Sequence, residues 1–92
     1  MIRSFSHKGL KSLFETGRSK QIAATHLARI LRMLDRLDAS KTATDMNLPG
    51  FGFHELKGDR KGTYSVSVSG NWRLTYGFKD GDAIDVNLED YH

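Results

Sequence analysis

Cysteine is absent from this sequence of 92 residues, which excludes disulfides, thiolate nucleophiles and thiolate metal sites together and suits a reducing compartment. Long apolar runs are absent as well. The opening "MIRSFSHKGLKSLFE" has no uninterrupted stretch that could serve as a signal peptide or membrane span, so a cytoplasmic protein with no membrane partner is expected. Charge of one sign is in short supply: the formal net charge of +3 allows an anionic partner, but an excess of this size is common among proteins that bind no nucleic acid. Where the cations sit therefore matters more than their sum. Internal repeats and low-complexity tracts are missing too.

What remains is the composition of a small soluble domain, with 38% hydrophobic, 27% charged and 10% aromatic residues. A chain of this length has room for one core, so residues 1–92 are read as a single domain burying about 60 to 70% of its unfolded surface.

Ile2 to Phe5 is short and apolar, and Ser6 is placed to cap a helix carrying Leu10, Leu13 and Phe14, which Gly17 stops. From Ser19 to about Leu37, the residues Ala23, Leu27, Ile30, Leu31, Leu34 and Leu37 form one stripe of a second helix. Arg29, Arg32 and Arg36 lie mostly off that stripe, as a solvated face or as a surface for nucleic acid. Lys41 to Gly52 contains the single proline, Pro49, beside Asn47, Gly50 and Gly52, and reads as a loop between a helical half and a strand-forming half.

After the loop, Phe51 to Leu56 is a candidate strand. The turn Gly58-Asp59-Arg60-Lys61-Gly62 leads into Tyr64, Val66 and Val68, which alternate with serines. Gly70-Asn71 and Asp80-Gly81 are hairpin signals. Between them Trp72, Leu74, Tyr76 and Phe78 alternate with smaller or polar residues, and Ile84, Val86 and Leu88 share one face of a last strand. The fold class expected is α+β: a short N-terminal strand, two helices, then a curved antiparallel sheet of four strands covered by the helix stripes.

The chemistry-bearing residues concentrate in two places. Lys57, Arg60 and Lys61 crowd a connection between strands, and Arg73 projects from the polar face of the next hairpin. At the other place, the alternation that turns Val86 and Leu88 inward turns Asp90 and His92 the same way, with Tyr91 opposite. Each has two readings at this point. The basic turn is either held together by Asp59 pairing with Arg60 or Lys61, or it surrounds a phosphodiester. The terminal residues either fray into water or line a cleft. Were they together, Arg73 and Arg60 could grip phosphate oxygens, Lys57 could stabilise charge growing in the transition state, and His92 could exchange a proton near neutral pH. RNA brings its own 2′-OH nucleophile, so such a site needs neither cysteine nor a bound metal.

His54 could pair with Asp90 or assist proton transfer, or serve only structurally. The spacing of His54, Asp90 and His92 is too unspecific to argue for a metal, and no cofactor is implied. His7 and His26 are assigned to structure, and Trp72 to core packing rather than to base stacking.

Taken together, "LKGDRKGTYSVSVSGNWRLTYGF", the terminal "NLEDYH" and the opening "MIRSFSHKGLKSLFETG" resemble the HigB branch of the RelE/ParE toxin superfamily, also described as plasmid-maintenance killer proteins. The resemblance covers nearly the whole chain and is least specific over the second helix and the loop after it. It implies a strand, two helices and an antiparallel sheet. It implies a toxin that enters the A site of the 30S ribosome, against rRNA, and cleaves mRNA there as a metal-independent endoribonuclease. A HigA-type helix-turn-helix antitoxin, whose complex with the toxin binds operator DNA, is the implied neutralising partner. Carried over by position, the implied site comprises His92, Tyr91, Asp90, Lys57 and Arg73 for catalysis, with His54, Arg60 and Lys61 for RNA binding. The shared fold class leaves two alternatives: a ParE-like inhibitor of gyrase without catalysis, for which the terminal Asp90-Tyr91-His92 has no evident use, and a binding subunit whose cations serve only phosphates.

Overall fold

The computed structural model describes residues 1–90. The helices are α1 (Lys8–Thr16) and α2 (Ala24–Ala39). They are followed by a 3-10 turn (Ala43–Met46), strand β1 (His54–Glu55), a second 3-10 turn (Gly58–Arg60), β2 (Thr63–Ser69), β3 (Trp72–Lys79) and β4 (Asp82–Asp90). The strands form one antiparallel sheet in the order β1-β2-β3-β4, and both helices pack on the same side of it. Among the described residues, no helix is long and apolar enough to cross a membrane.

The N-terminal segment joins the sheet as two isolated parallel bridges, Ile2 with Ala83 and Phe5 with Val86. The N–H of Arg3 donates to Ala83 O at 2.7 Å and that of Ser6 to Val86 O at 2.9 Å. A continuous ladder is interrupted because β4 bulges between the two bridges. Asp85 takes a φ of 53°, and its N–H donates to Ser4 Oγ at 2.9 Å.

Helix α1 begins one residue later than Ser6 would have set it. His7 is the cap, its Nδ1 accepting from the Leu10 N–H at 3.1 Å, and Gly17 closes the helix with a φ of 77°. Helix α2 begins at Ala24 rather than Ser19, because the Ser19 hydroxyl accepts from the Gln21 N–H and holds a turn there. Its buried stripe is Ile30, Met33, Leu34 and Leu37, so Met33 joins the expected Ile30, Leu34 and Leu37 in the core, while Leu27 and Leu31 are only partly buried.

The arginine row is consumed structurally at two of its members. Arg29 donates from Nε to Val68 O at 2.9 Å and from Nη2 to Gly50 O and Ser67 O, and it lies 5.7 Å over the Phe51 ring. It ties the loop that leads to β1 onto the end of β2. Arg36 donates to Asp45 O.

Helices and sheet meet over Leu10, Leu13, Ile30, Met33, Leu34, Leu37, Val66, Leu74, Tyr76 and Val86, all fully buried. Tyr76 brings a hydroxyl into this core and donates it to Ala43 O at 3.0 Å, pinning the first 3-10 turn. Burial pushes the phenol well above the ordinary tyrosine value. Tyr76→Phe should therefore cost about 1–2 kcal/mol, since the turn's carbonyl loses its partner. The raised folded value means that Tyr76 contributes fully below the ordinary tyrosine range, near 10, and progressively less as pH rises through the folded value. Urea unfolding at neutral and alkaline pH checks both: the wild-type chain should weaken more steeply in alkali than the phenylalanine variant.

The open face of the sheet as candidate active site

The side of the sheet away from the helices is polar, and strand register builds it. Residues paired directly across strands share a face. His54 pairs with Ser65, Ser65 with Thr75 and Thr75 with Asn87, so one row crosses all four strands. A second row is Ser67, Arg73 and Glu89, and a third is Thr63, Gly77 and Ile84. The bulge explains the third row. Two residues of β4, Asp85 and Val86, stand against Tyr76 between the pairs Gly77–Ile84 and Thr75–Asn87. Ile84 therefore turns to the open face while Ala83 and Val86 are buried under the helices, which corrects the expectation that Ile84, Val86 and Leu88 share one face.

An ion pair between described residues runs across this face. Arg60, in the second 3-10 turn, donates from Nη1 to Glu89 Oε1 at 2.8 Å and from Nη2 to Oε2 at 2.6 Å, the two-pronged geometry that arginine and carboxylate favour. The Thr75 hydroxyl donates to the same Oε2. The partner of Arg60 is thus Glu89, not the neighbouring Asp59 that the sequence suggested. The hydrogen bonds from Arg60 are the main reason that the Glu89 carboxyl is held below the ordinary glutamate range, with Thr75 adding to the effect and partial burial opposing it. The basic turn is by this means fastened over β2 and β3 to the strand that ends at Asp90.

Arg73 lies in the same row as Glu89, and its Nη1 reaches Ser65 Oγ at 3.5 Å. Lys57 precedes the 3-10 turn and Lys61 follows it, both exposed, beside Leu56, which is 5% exposed and lies apart from the main core. His54 is exposed on β1, with Nδ1 3.4 Å from Gly52 O. β1 and β4 are opposite edges of the sheet, three strand spacings or roughly 14 Å apart. A direct pairing of His54 with Asp90 is therefore not made. Asp90 pairs with Trp72, and alternation places it on the side opposite Arg73 and Glu89. Tyr91 and His92 lie outside the described residues.

Trp72 does not join the core as expected, for it is 38% exposed at the start of β3. It borders a small pocket with His7, Ile22, His26 and Leu88.

The structure thus gathers Arg60, Arg73 and, along the adjoining row, His54 on one face, with the lysines on the turn beside it. Sequence reasoning missed four polar residues of that face: Ser65, Thr75, Asn87 and Glu89. The alternation of β2 and β3 already marked Ser65 and Thr75 as sharing parity with Arg73, and Glu89 as opposite to Leu88. Their meeting on one face depended on bulges that shift register between Ser67 and Ser69 and between Thr75 and Gly77.

The model of a family described as "RelE-like toxin of type II toxin-antitoxin system HigB" matches residues 3–92. Endoribonuclease HigB of Proteus vulgaris is 45% identical over 92 residues, covering 100% of both chains. Toxin HigB-1 of Vibrio cholerae serotype O1 is 30% identical over 91 residues, 97% of this chain and 96% of the other.

Proposed function

The chain belongs to the HigB-like family of RelE-like toxins from type II toxin-antitoxin systems, and from that premise we propose that it is an endoribonuclease that enters the ribosomal A site and cuts mRNA there. An antitoxin is its partner by membership of such a system; our reading makes that antitoxin a helix-turn-helix protein of the HigA type, through which the pair reaches operator DNA. The named relatives are HigB toxins, and one is an endoribonuclease. The gyrase-inhibitor alternative is not favoured.

The observation that carries the reading is the open face itself: Arg73 and His54 stand on it beside a basic turn locked in place by Arg60 and Glu89. In the proposed reaction, Arg73 holds the scissile phosphate and Lys57 neutralises the charge that grows on it as the 2′-OH attacks. His92 moves the proton and Tyr91 places the nucleotide, while Asp90, on the side of β4 opposite Arg73, acts by orienting its neighbours rather than by touching the phosphate. His54 and Lys61 bind RNA at the margin. Arg60, engaged by Glu89, contributes by holding the turn and by its positive field. The 2′-oxygen–phosphorus bond forms as the 5′-oxygen–phosphorus bond breaks, leaving a cyclic phosphate and a 5′-hydroxyl. The oxygen nucleophile comes from the RNA, so the balance requires no metal.

The test is to add purified protein to ribosomes stalled on one defined mRNA and map the RNA ends, with naked mRNA alongside. A cut within the A-site codon that needs the ribosome is the expected result. Growth arrest by a folded protein that produces no cut on either RNA would overturn the nuclease reading in favour of a bound target such as gyrase.

A further inference from the structure

The bridge between Arg60 and Glu89 divides the open face. Arg73 lies on one side; on the other, the face sinks into a cavity of about 370 Å³ whose lining includes Ser6, Thr63, Gly77, Ile84 and Asn87. Neither Arg73, Ser65, His54 nor Lys57 borders it. Of the described side chains proposed to contact RNA, only Lys61 lines it, so the proposed cleavage step itself leaves this space unused.

Its lining specifies a ligand class. Arg60 and Lys61 are balanced by Asp85 and Glu89, so the walls carry no surplus charge with which to hold a phosphate group. The floor at Gly77 has no side chain, and Ile84 stands beside it: a Cβ added to Gly77 would lie 3.3 Å from Ile84 Cγ1. A bare backbone flanked by an aliphatic wall accepts the flat face of a ring. Hydrogen-bonding groups sit around that floor. Asn87 Oδ1 accepts from the Leu88 N–H at 2.9 Å, which fixes the amide, and no described residue accepts from its Nδ2. Ser6 and Thr63 add hydroxyl-bearing residues to the lining. The volume falls at the lower end of the range of small-ligand pockets, about 300–1,000 Å³.

We infer that this cavity is a nucleobase subsite, taking the base of a nucleotide that neighbours the one whose phosphate lies at Arg73. The inference rests on the endoribonuclease reading for its RNA. From Arg73 to Gly77 is four residues of β3, or roughly 13 Å along the strand, a distance that puts the cavity beside the cleavage position rather than at it. A flat ring, a neutral lining and a fixed amide make the subsite a reader of sequence, and Asn87 the residue that discriminates.

Full-length protein labelled with 15N would be titrated with each of the four nucleoside 5′-monophosphates and, separately, with ribose 5-phosphate. At least one mononucleotide should move the amides of Gly62, Gly77 and residues 84–87, while ribose 5-phosphate leaves them in place. Asn87→Ala should weaken that binding about tenfold, the loss of one good hydrogen-bonded base contact. Gly77→Ala, which fills the floor from the other side without touching Asn87, should weaken it as well. No shift with any mononucleotide, or the same shifts with ribose 5-phosphate, overturns the subsite. In parallel, wild-type and Asn87→Ala protein would be given ribosome-bound mRNAs that differ at one nucleotide beside the cut, and the spread of rates should narrow in the variant. Cutting without base binding removes only the subsite, whereas base binding without cutting removes only the nuclease reading.

Discussion

Arg73→Ala should lower mRNA cleavage on the ribosome by about 10²- to 10³-fold, as expected when a donor aimed at developing charge is deleted, and His92→Gln should lower it by about 10²- to 10⁴-fold, as expected for loss of a proton-transfer group. The two losses differ in form. Arginine stays charged throughout the accessible range, so Arg73→Ala should reduce the rate at every pH and leave the profile's shape intact. Histidine titrates near 6.5, so His92→Gln should remove the limb that falls in that region. Arg73→Lys keeps the charge but loses the planar fork and should recover only part of the rate. Stability should hardly change in the Arg73 variants, because the described bond of this side chain is a long one of 3.5 Å to Ser65. Single-turnover rates across pH, with thermal midpoints as control, decide the matter: variants that fold and still cleave at the wild-type rate would remove both residues from the proposed site.

The second large effect belongs to Glu89→Gln. Glutamine preserves the shape but discards the charge that holds Arg60 by two hydrogen bonds and receives a third from Thr75. Hydrogen bonds to charged groups contribute about 1.5–3 kcal/mol when buried. Because the side chain of Arg60 is 41% exposed and that of Glu89 is 22% exposed, solvent screening reduces the expected loss to about 1–2 kcal/mol. The domain is small enough that each kcal/mol moves the thermal midpoint by about 4–8 °C. The loss is also pH-dependent in a definite direction. The folded chain holds this carboxyl below the ordinary glutamate range, so it binds fewer protons there than the unfolded chain does. The contribution is complete above the ordinary range and disappears as pH falls through the lowered folded value. Urea midpoints measured from neutral to acid pH should fall more steeply for the wild type than for Glu89→Gln; parallel curves would show that the bridge contributes nothing. Cleavage should also fall in the variant, because the turn carrying Lys57 and Lys61 is no longer fastened to β4. Arg60→Met should produce the same loss, and the double variant little more, as coupling within one pair requires.

Much of this architecture was open to inspection in the residue order. The apolar spacings of Leu10 and Leu13, and of Ile30, Leu34 and Leu37, place both helices on the core. The glycine-bearing turns at Gly70-Asn71 and Asp80-Gly81 separate three strands whose alternation is plain. Local chemistry suffices for these elements, since turn residues and apolar period act within a few positions of each other. The basic turn and Arg73 were legible as candidates for the same reason: cations in a connection and on a polar strand face stand out against an otherwise alternating background.

What could not be read was decided by pairings between residues far apart in the chain. The absence of cysteine excluded disulfides and thiolate chemistry, and the apolar periods of the two halves determined the α+β class. The order of helices and hairpins determined which strands are neighbours. Only the tertiary structure decided that Arg60 serves Glu89 across two intervening strands, that Arg29 is a tie for the loop before β1 rather than a free cation, and that Ile84 faces outward beside Gly77. Two physical reasons account for these. A single-residue bulge reverses the facing of every later side chain in a strand. An arginine takes whichever carboxylate or carbonyl the folded chain brings within hydrogen-bond reach, and sequence separation carries no trace of that distance.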